Sequence, residues 1–261
     1  MAITGRALCP GGGSKINDIR YAILNCTCSM LPTVLDDGRV IVELLTNGSI
    51  QFKAGVTIKA TLVGGGGSGG ARTNSSYPAP GGGGGYVVHT QFTADGSAYP
   101  VVIGDGGAAV LGVSGVDKNG NVGGTTSAFG TSAAGGNGGT VRGSVSPNQY
   151  IGGAGGSGGG SIGGAGGSNG SDGGVTYPGS ITPVGGKGSG KTTYAFADAT
   201  TGKLYAGGGA GGTYGSAGGA GGGGSGQGGN GAANTGGGGA GQGTANLSGA
   251  GGSGVVALMI A

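Results

Sequence analysis

The sequence predicts a mainly β protein with an irregular glycine-rich body: an N-terminal β module, then a β framework carrying packed polyproline-II (polyglycine-II) helices. Three observations lead there. Gly supplies 79 of 261 residues, against about 7% in ordinary proteins. The composition shifts near residue 63, with strand-like apolar runs before it. Beyond that point, non-glycine residues within glycine runs recur at every third position.

The elements follow in chain order. Residues 20–29 (RYAILNCTCS) and 39–46 (RVIVELLT) are apolar and β-prone, and Asp36–Asp37–Gly38 between them is a turn signal. Asn47–Gly48 predicts a hairpin joining Val40–Leu45 to Ile50–Phe52. In Val56–Val63, Val56, Ile58, Ala60 and Leu62 fall on one face and Thr57, Lys59 and Thr61 on the other, so the strand has one buried side. Tyr86–Phe92 and Tyr99–Ile103 are two further strands, and Asp95–Gly96 between them signals a second hairpin. Val255–Ile260 is an apolar run suited to a central strand that closes a sheet. The expected division is 1–48, an N-terminal β module, and 49–261, a glycine-rich domain. The latter comprises a framework at 49–130, a polyproline-II bundle at 131–250 and a closing strand at 254–260.

Three readings of the glycine compete. A flexible Gly/Ser linker has the right composition. Collagen needs strict one-in-three glycine with abundant Pro, and the chain has only 8 Pro. Packed polyproline-II helices need bare columns of glycine, because such a helix has three residues per turn and directs all its amides outward. The spacing fits the third reading. Ala154 and Ser157 are three apart, as are Ile162, Ala165, Ser168 and Ser171; Ala210, Thr213 and Ser216; Ala217 and Ala220; and Gln227, Asn230 and Ala233. Ordering glycine costs roughly 0.5–1 kcal/mol more than ordering Ala. Net hydrogen-bond gains of about 1 kcal/mol each offset this only if nearly every glycine amide is paired. Inserts between the runs are therefore expected at the two ends of a slab.

Composition excludes several functions. The 12 Lys and Arg are scattered and the net charge is +3, which gives no phosphate-tracking surface for nucleic acid. The N-terminal residues 1–6 hold no apolar stretch long enough for a signal peptide, and the longest apolar run, 255–261, is far short of a membrane span. Cys9, Cys26 and Cys28 are too few and too irregular for a disulfide framework, and read as buried or half-buried thiols. A zinc site built from them with His89 has an atypical Cys-x-Cys spacing. Residues 185–192 (GGKGSGKT) match the phosphate-binding loop pattern, but the following sequence lacks the helical periodicity that such a loop requires. His89 reads as a satisfied strand histidine beside Val87 and Gln91. Asp95, Asp105, Asp117, Asp172 and Asp198 are isolated, so paired-carboxylate hydrolysis lacks its residues. No enzyme, cofactor or metal is expected.

What remains is recognition by polar, Tyr-bearing inserts, since Tyr offers a large amphipathic face at low entropy cost. The inserts are 72–80, 144–151, 175–184 and 191–205. Within and beside them the candidate receptor-binding residues are Arg72, Asn74, Tyr77, Asn148, Tyr150, Tyr177, Tyr194, Phe196 and Tyr214.

The series IQFKAGVTIKATLVGGGGSGG (50–70), GGGGGYVV (81–88), YPVVIGDGG (99–107), GTTSAFG (124–130), KLYAGGGAGG (203–212), GAANTGGGG (231–239) and GGSGVVALMI (251–260) resembles the glycine-rich tail proteins of phages and prophages of Gram-positive hosts. The likeness covers roughly 45–261. The final strand departs from the usual ending, because it lacks a basic or aromatic close. The body is also similar in kind to the polyglycine-helix distal adhesins of T-even-type phage tail fibres, and to the glycine-rich ectodomain of anaplastic-lymphoma-kinase-type receptors. The resemblance implies a non-enzymatic virion protein, made in the host cytoplasm and displayed on the particle. Its partners would be other virion proteins, through the N-terminal region, and a host-surface protein or glycan; a homotrimer and a monomer are both open. Two other readings are a purely structural capsid or tail decoration and an ice-binding slab. Against the latter, the inserts are irregular where ice binding wants a regular Thr- or Ala-rich face.

Overall fold

The alternating apolar runs resolve into two five-stranded antiparallel sheets packed face to face. The computed structural model describes residues 18–72, 79–113, 116–142, 149–160, 175–176, 193–212, 217–243 and 246–261. The strands are β1 (Ile23–Cys26), β2 (Met30–Val34), β3 (Val40–Leu44), β4 (Gly48–Phe52), β5 (Thr57–Val63), β6 (Val87–Thr93), β7 (Ala98–Val102), β8 (Thr126–Ala128), β9 (Thr131–Ala133), β10 (Thr140–Arg142), β11 (Gln149–Ile151), β12 (Val175–Thr176) and β13 (Val255–Ile260). The first sheet runs β1-β4-β7-β8-β9 and the second β2-β3-β13-β5-β6; β10-β11-β12 form a small third sheet. The chain is mainly β, as its composition predicts.

The shared core shows why these runs became strands. Ile58, Ala60 and Leu62 of β5 point inward with Val40, Val42 and Leu44 of β3 and Val256 and Leu258 of β13. Opposite them, Ile50, Phe52, Val101, Ala128 and Ala133 come from the first sheet. Each large side chain buried this way contributes roughly 1.5–3 kcal/mol. Phe52, Phe92, Tyr99 and Phe129 close one part of the core as a ring cluster, with centroids 4.6–6.2 Å apart in tilted, edge and stacked pairs. β3 and β13 are buried on their second face as well, where Ile41, Val255 and Ala257 lie under Ala195, Tyr205 and Ala206. That double burial is why residues 255–260 read as unbroken apolar sequence.

Two predicted hairpins are corrected. Asn47–Gly48 does not pair β3 with β4, nor does Asp95–Gly96 pair β6 with β7; in each case the two strands lie in different sheets. These turns are corners of the sandwich. Asn47 holds its corner by accepting the Ile103 N–H through Oδ1 (2.7 Å), and Gln51 Nε2 donates to the Gly96 carbonyl (2.7 Å). A switch of sheet buries both apolar faces against each other, which a flat meander would not. Asp36–Gly38 does turn β2 into β3, which pair along their lengths. The described part of residues 1–48 pairs β1 with β4 in one sheet and β3 with β13 in the other.

Where the strands end, the chain runs on as glycine threads. Thread 79–86 shows their rule. The amides of Gly81 and Gly84 donate to Gly160 and Ser157, those of Gly82 and Gly85 to Gly239 and Gly236, and those of Gly83 and Tyr86 to Asn137 and Ala134. Its carbonyls accept from three more segments: Pro80, Gly83 and Tyr86 from Gly70, Gly67 and Gly64; Gly81 and Gly84 from Gly153 and Gly156; Ala79 and Gly82 from Gly212 and Gly209. All these bonds measure 2.7–3.0 Å. The period is three residues, where a strand would give two, and one thread bonds six neighbours. Such closeness excludes side chains: a Cβ at Gly82 would overlap the Gly67 carbonyl, and one at Gly238 the Gly82 carbonyl.

Thread 64–72 obeys the same rule. Gly64, Gly67 and Gly70 donate to 80–86, Gly65, Ser68 and Ala71 to 118–124, and Gly66 and Gly69 to 249–252. The lattice thus begins at residue 64. Some predicted threads are shorter than the spacing implied. Gly153 and Gly156 donate to Gly81 and Gly84, whereas Ser157 and Gly160 accept from Gly84 and Gly81. The chain therefore reverses between Ala154 and Ser157, and the two are not on one thread. Ile162, Ala165, Ser168, Ser171, Thr213 and Ser216 lie outside the described residues, as do the phosphate-loop match and Cys9.

Candidate recognition surfaces

The alternation of threads gives the lattice two poles. Residues 64, 86, 104, 124, 134 and 254 adjoin strands of the sandwich. Residues 72, 79, 142, 149, 212, 217 and 243 lie at the opposite pole. Arg72 ends its thread there. Its amide donates to the Gln242 carbonyl (3.0 Å) and its Nε pairs with Asp117 Oδ1 (3.0 Å). Arg72 therefore braces a thread end against a neighbouring loop. Tyr150 lies in β11, in register with Val141 and Thr176. Asn74, Tyr77, Asn148, Tyr177 and Tyr214 lie outside the described residues.

The same pole exposes a feature that sequence reasoning missed. Leu111 pairs with Leu247, and Val110 and Ser248 exchange bonds of 2.9 and 3.0 Å. The paired loops leave Leu111, Val113, Val116 and Leu247 41–57% exposed. The signal was the run VLGVSGV at 110–116, unusually apolar for a glycine-rich stretch.

Tyr194 and Phe196 are elsewhere. The insert 191–205 was expected at a slab end, but its described part, 193–205, lies against the outer face of the second sheet. That face carries Ile41, Val255 and Ala257, which need covering, and two polar anchors among them. Glu43 of β3, 3% exposed, accepts from the Tyr205 hydroxyl (2.5 Å) and pairs with Lys203 Nζ (3.1 Å). Burial first, and the Glu43 charge second, push the Tyr205 phenol well above its ordinary range. Thr61 of β5 accepts the Phe196 N–H (2.7 Å) and bonds His89 Nδ1 (3.0 Å).

Beyond these anchors the backbone is held in an unfavourable state. Phe196 and Ala197 adopt φ of 57° and 55°, costing roughly 1–2 kcal/mol each. Asp198 next to them pairs with Arg39 Nη1 (2.8 Å), whose Nε also pairs with Asp37 (2.6 Å). Asp198, isolated in sequence, thus shares one guanidinium with Asp37. Its carboxyl is held at about 2, first by the Thr200 hydroxyl and then by Arg39. The strained turn sets Phe196 beside Lys59, His89, Thr90 and Gln91, and together they line a shallow cavity of about 270 Å³. An aromatic face beside an amide, an imidazole and an ammonium can stack against a ring and hydrogen-bond it. Among the described residues, no helix is long and apolar enough to cross a membrane.

A family model described as a glycine-rich domain matches residues 45–261. The chain belongs to that family. The glycine-rich domain so defined takes in the described threads and begins between β3 and β4, so β1, β2 and β3 precede it in sequence while sharing its sheets. No curated protein matches the chain.

Proposed function

We propose that this glycine-rich-domain protein is a non-enzymatic phage tail protein that presents host-recognition loops on a rigid lattice, and that its threads are polyproline-II helices. The observation that carries the reading is the six-neighbour, three-residue hydrogen-bond pattern of threads 64–72 and 79–86. Three residues per turn is the repeat of a polyproline-II helix, and shared amides on every side make a stiff support. Such a support suits loops that vary without disturbing the fold. The separation of poles supports a division of labour: residues 1–48 attach to the particle, and the far-pole segments meet a protein or glycan on the host.

The test exchanges the inserts 72–80, 144–151, 175–184 and 191–205 between related phages and measures adsorption to each host. Host range is expected to travel with the segments. Unchanged host range removes the recognition role and leaves a structural decoration, which immunogold labelling on the particle would locate.

A further inference from the structure

The stretch that carries the chain from the first sheet to the second holds two sulfur atoms. Cys26 ends β1, and Cys28 follows two residues later, before β2. Both are free thiols; Cys26 is half-buried and Cys28 buried. Cys26 Sγ lies 3.7 Å from the Cys28 carbonyl, and Cys28 Sγ 4.0 Å from the Ser49 carbonyl. The two side chains thus share one corner, lined by Thr27 and Ser49. The Cys28 side chain beside it holds Cys26 at about 7 against the opposing effect of burial. The same contact, reinforced by burial, pushes Cys28 upward.

We propose that Cys26 and Cys28 form a peroxide-oxidisable dithiol, with Cys26 the attacking thiolate and Cys28 the resolving thiol. In the first step the Cys26 thiolate attacks one oxygen of hydrogen peroxide. The O–O bond breaks, hydroxide leaves, and sulfur is oxidised to a sulfenic acid as the peroxide is reduced. In the second step Cys28 sulfur attacks Cys26 sulfur. The S–O bond breaks, the hydroxyl departs with the Cys28 proton as water, and a disulfide remains. The division of roles follows from position: the half-exposed sulfur meets the oxidant and the buried one waits behind it.

Geometry also sets how readily the bond is undone. Residues two apart in extended chain stand roughly 6.6–7.2 Å apart at Cα, at or beyond the upper limit of about 6.8 Å for a disulfide. Closure must bend the chain at Thr27, against the Thr27 N–H bond to the Ser49 carbonyl (2.9 Å). A disulfide strained in this way is readily reduced, so the oxidation is reversible.

The test uses the full chain carrying Cys9→Ser. Titrated with iodoacetamide across pH, Cys26 should show a midpoint of about 7 and react about 3-fold faster at neutral pH than an ordinary thiol of pKa about 8.5. The larger thiolate fraction outweighs the lower nucleophilicity. Hydrogen peroxide should remove two hydrogens from the peptide holding both cysteines, and a monothiol should restore them. In Cys28→Ser, dimedone should trap a sulfenic acid at Cys26. A Cys26 midpoint at about 8.5 in the unsubstituted pair, or peroxide treatment that leaves the peptide mass unchanged, overturns the proposal without recourse to either variant's folding.

Discussion

Replacing Gly82 by Ala inserts one methyl group at the crossing of three threads. The new Cβ would overlap the Gly67 carbonyl, and no side-chain rotation relieves it because the obstacle is backbone. Threads 64–72 and 79–86 must part, at an overpacking cost of roughly 1–3 kcal/mol. Parting weakens the two bonds between them nearest the new methyl, Gly67 N–H to the Gly83 carbonyl and Gly70 N–H to the Pro80 carbonyl, each worth about 1 kcal/mol net. Ala regains roughly 0.5–1 kcal/mol of chain entropy. The net loss is about 3 kcal/mol, a large share of the roughly 5–15 kcal/mol that holds an ordinary domain. Gly55→Ala is the control: its φ is +82° and no atom lies within 4 Å of the added Cβ, so it costs about 1 kcal/mol of backbone strain less the same entropy gain. Urea melts of both variants, compared at their midpoints, measure the difference. If Gly82→Ala loses no more stability than Gly55→Ala, close backbone contact is not what the glycines serve, and the lattice argument fails.

Three further outcomes follow. Tyr205→Phe removes the buried hydroxyl donated to Glu43 at 2.5 Å and should cost about 2 kcal/mol by urea melt; an unchanged midpoint would show that Glu43 needs only Lys203. Asp198 is held down from 3.8 to about 2. A depressed carboxyl adds stability that is fully present above its unfolded value and lost as pH falls through the folded one. Asp198→Asn should therefore flatten the stability curve between about pH 4 and about pH 2, with its slope near neutrality unmoved. In hydrogen exchange, the amides of Gly82–Gly85 should exchange as slowly as those of β13 despite lying outside any sheet, because each is bonded within the lattice; fast exchange at Gly82–Gly85 alone would mean that the threads open without the sandwich.

The sequence by itself determined the local periods. Alternation in 56–62 named the buried face of β5, the apolar run at 255–260 named a central strand, and the abundance of glycine pointed to segments that pack by backbone. These follow from side-chain geometry along one segment, and the segment carries that information. Partners were a different matter. Asn47–Gly48 and Asp95–Gly96 state that the chain turns but not whether it turns within a sheet or across to another, and the choice fell to burial of two apolar faces that only the assembled sandwich presents. Glycine threads are still less informative about neighbours, because a segment without side chains has no features by which one thread could be matched to another. For the same reason Arg72 and Phe196 looked alike as insert residues, yet Asp117 fastened one to a thread end and Thr61 drew the other onto a sheet. Which thread meets which, and which insert faces outward, is decided by the three-dimensional count of amides to be paired, a quantity no single stretch of sequence contains.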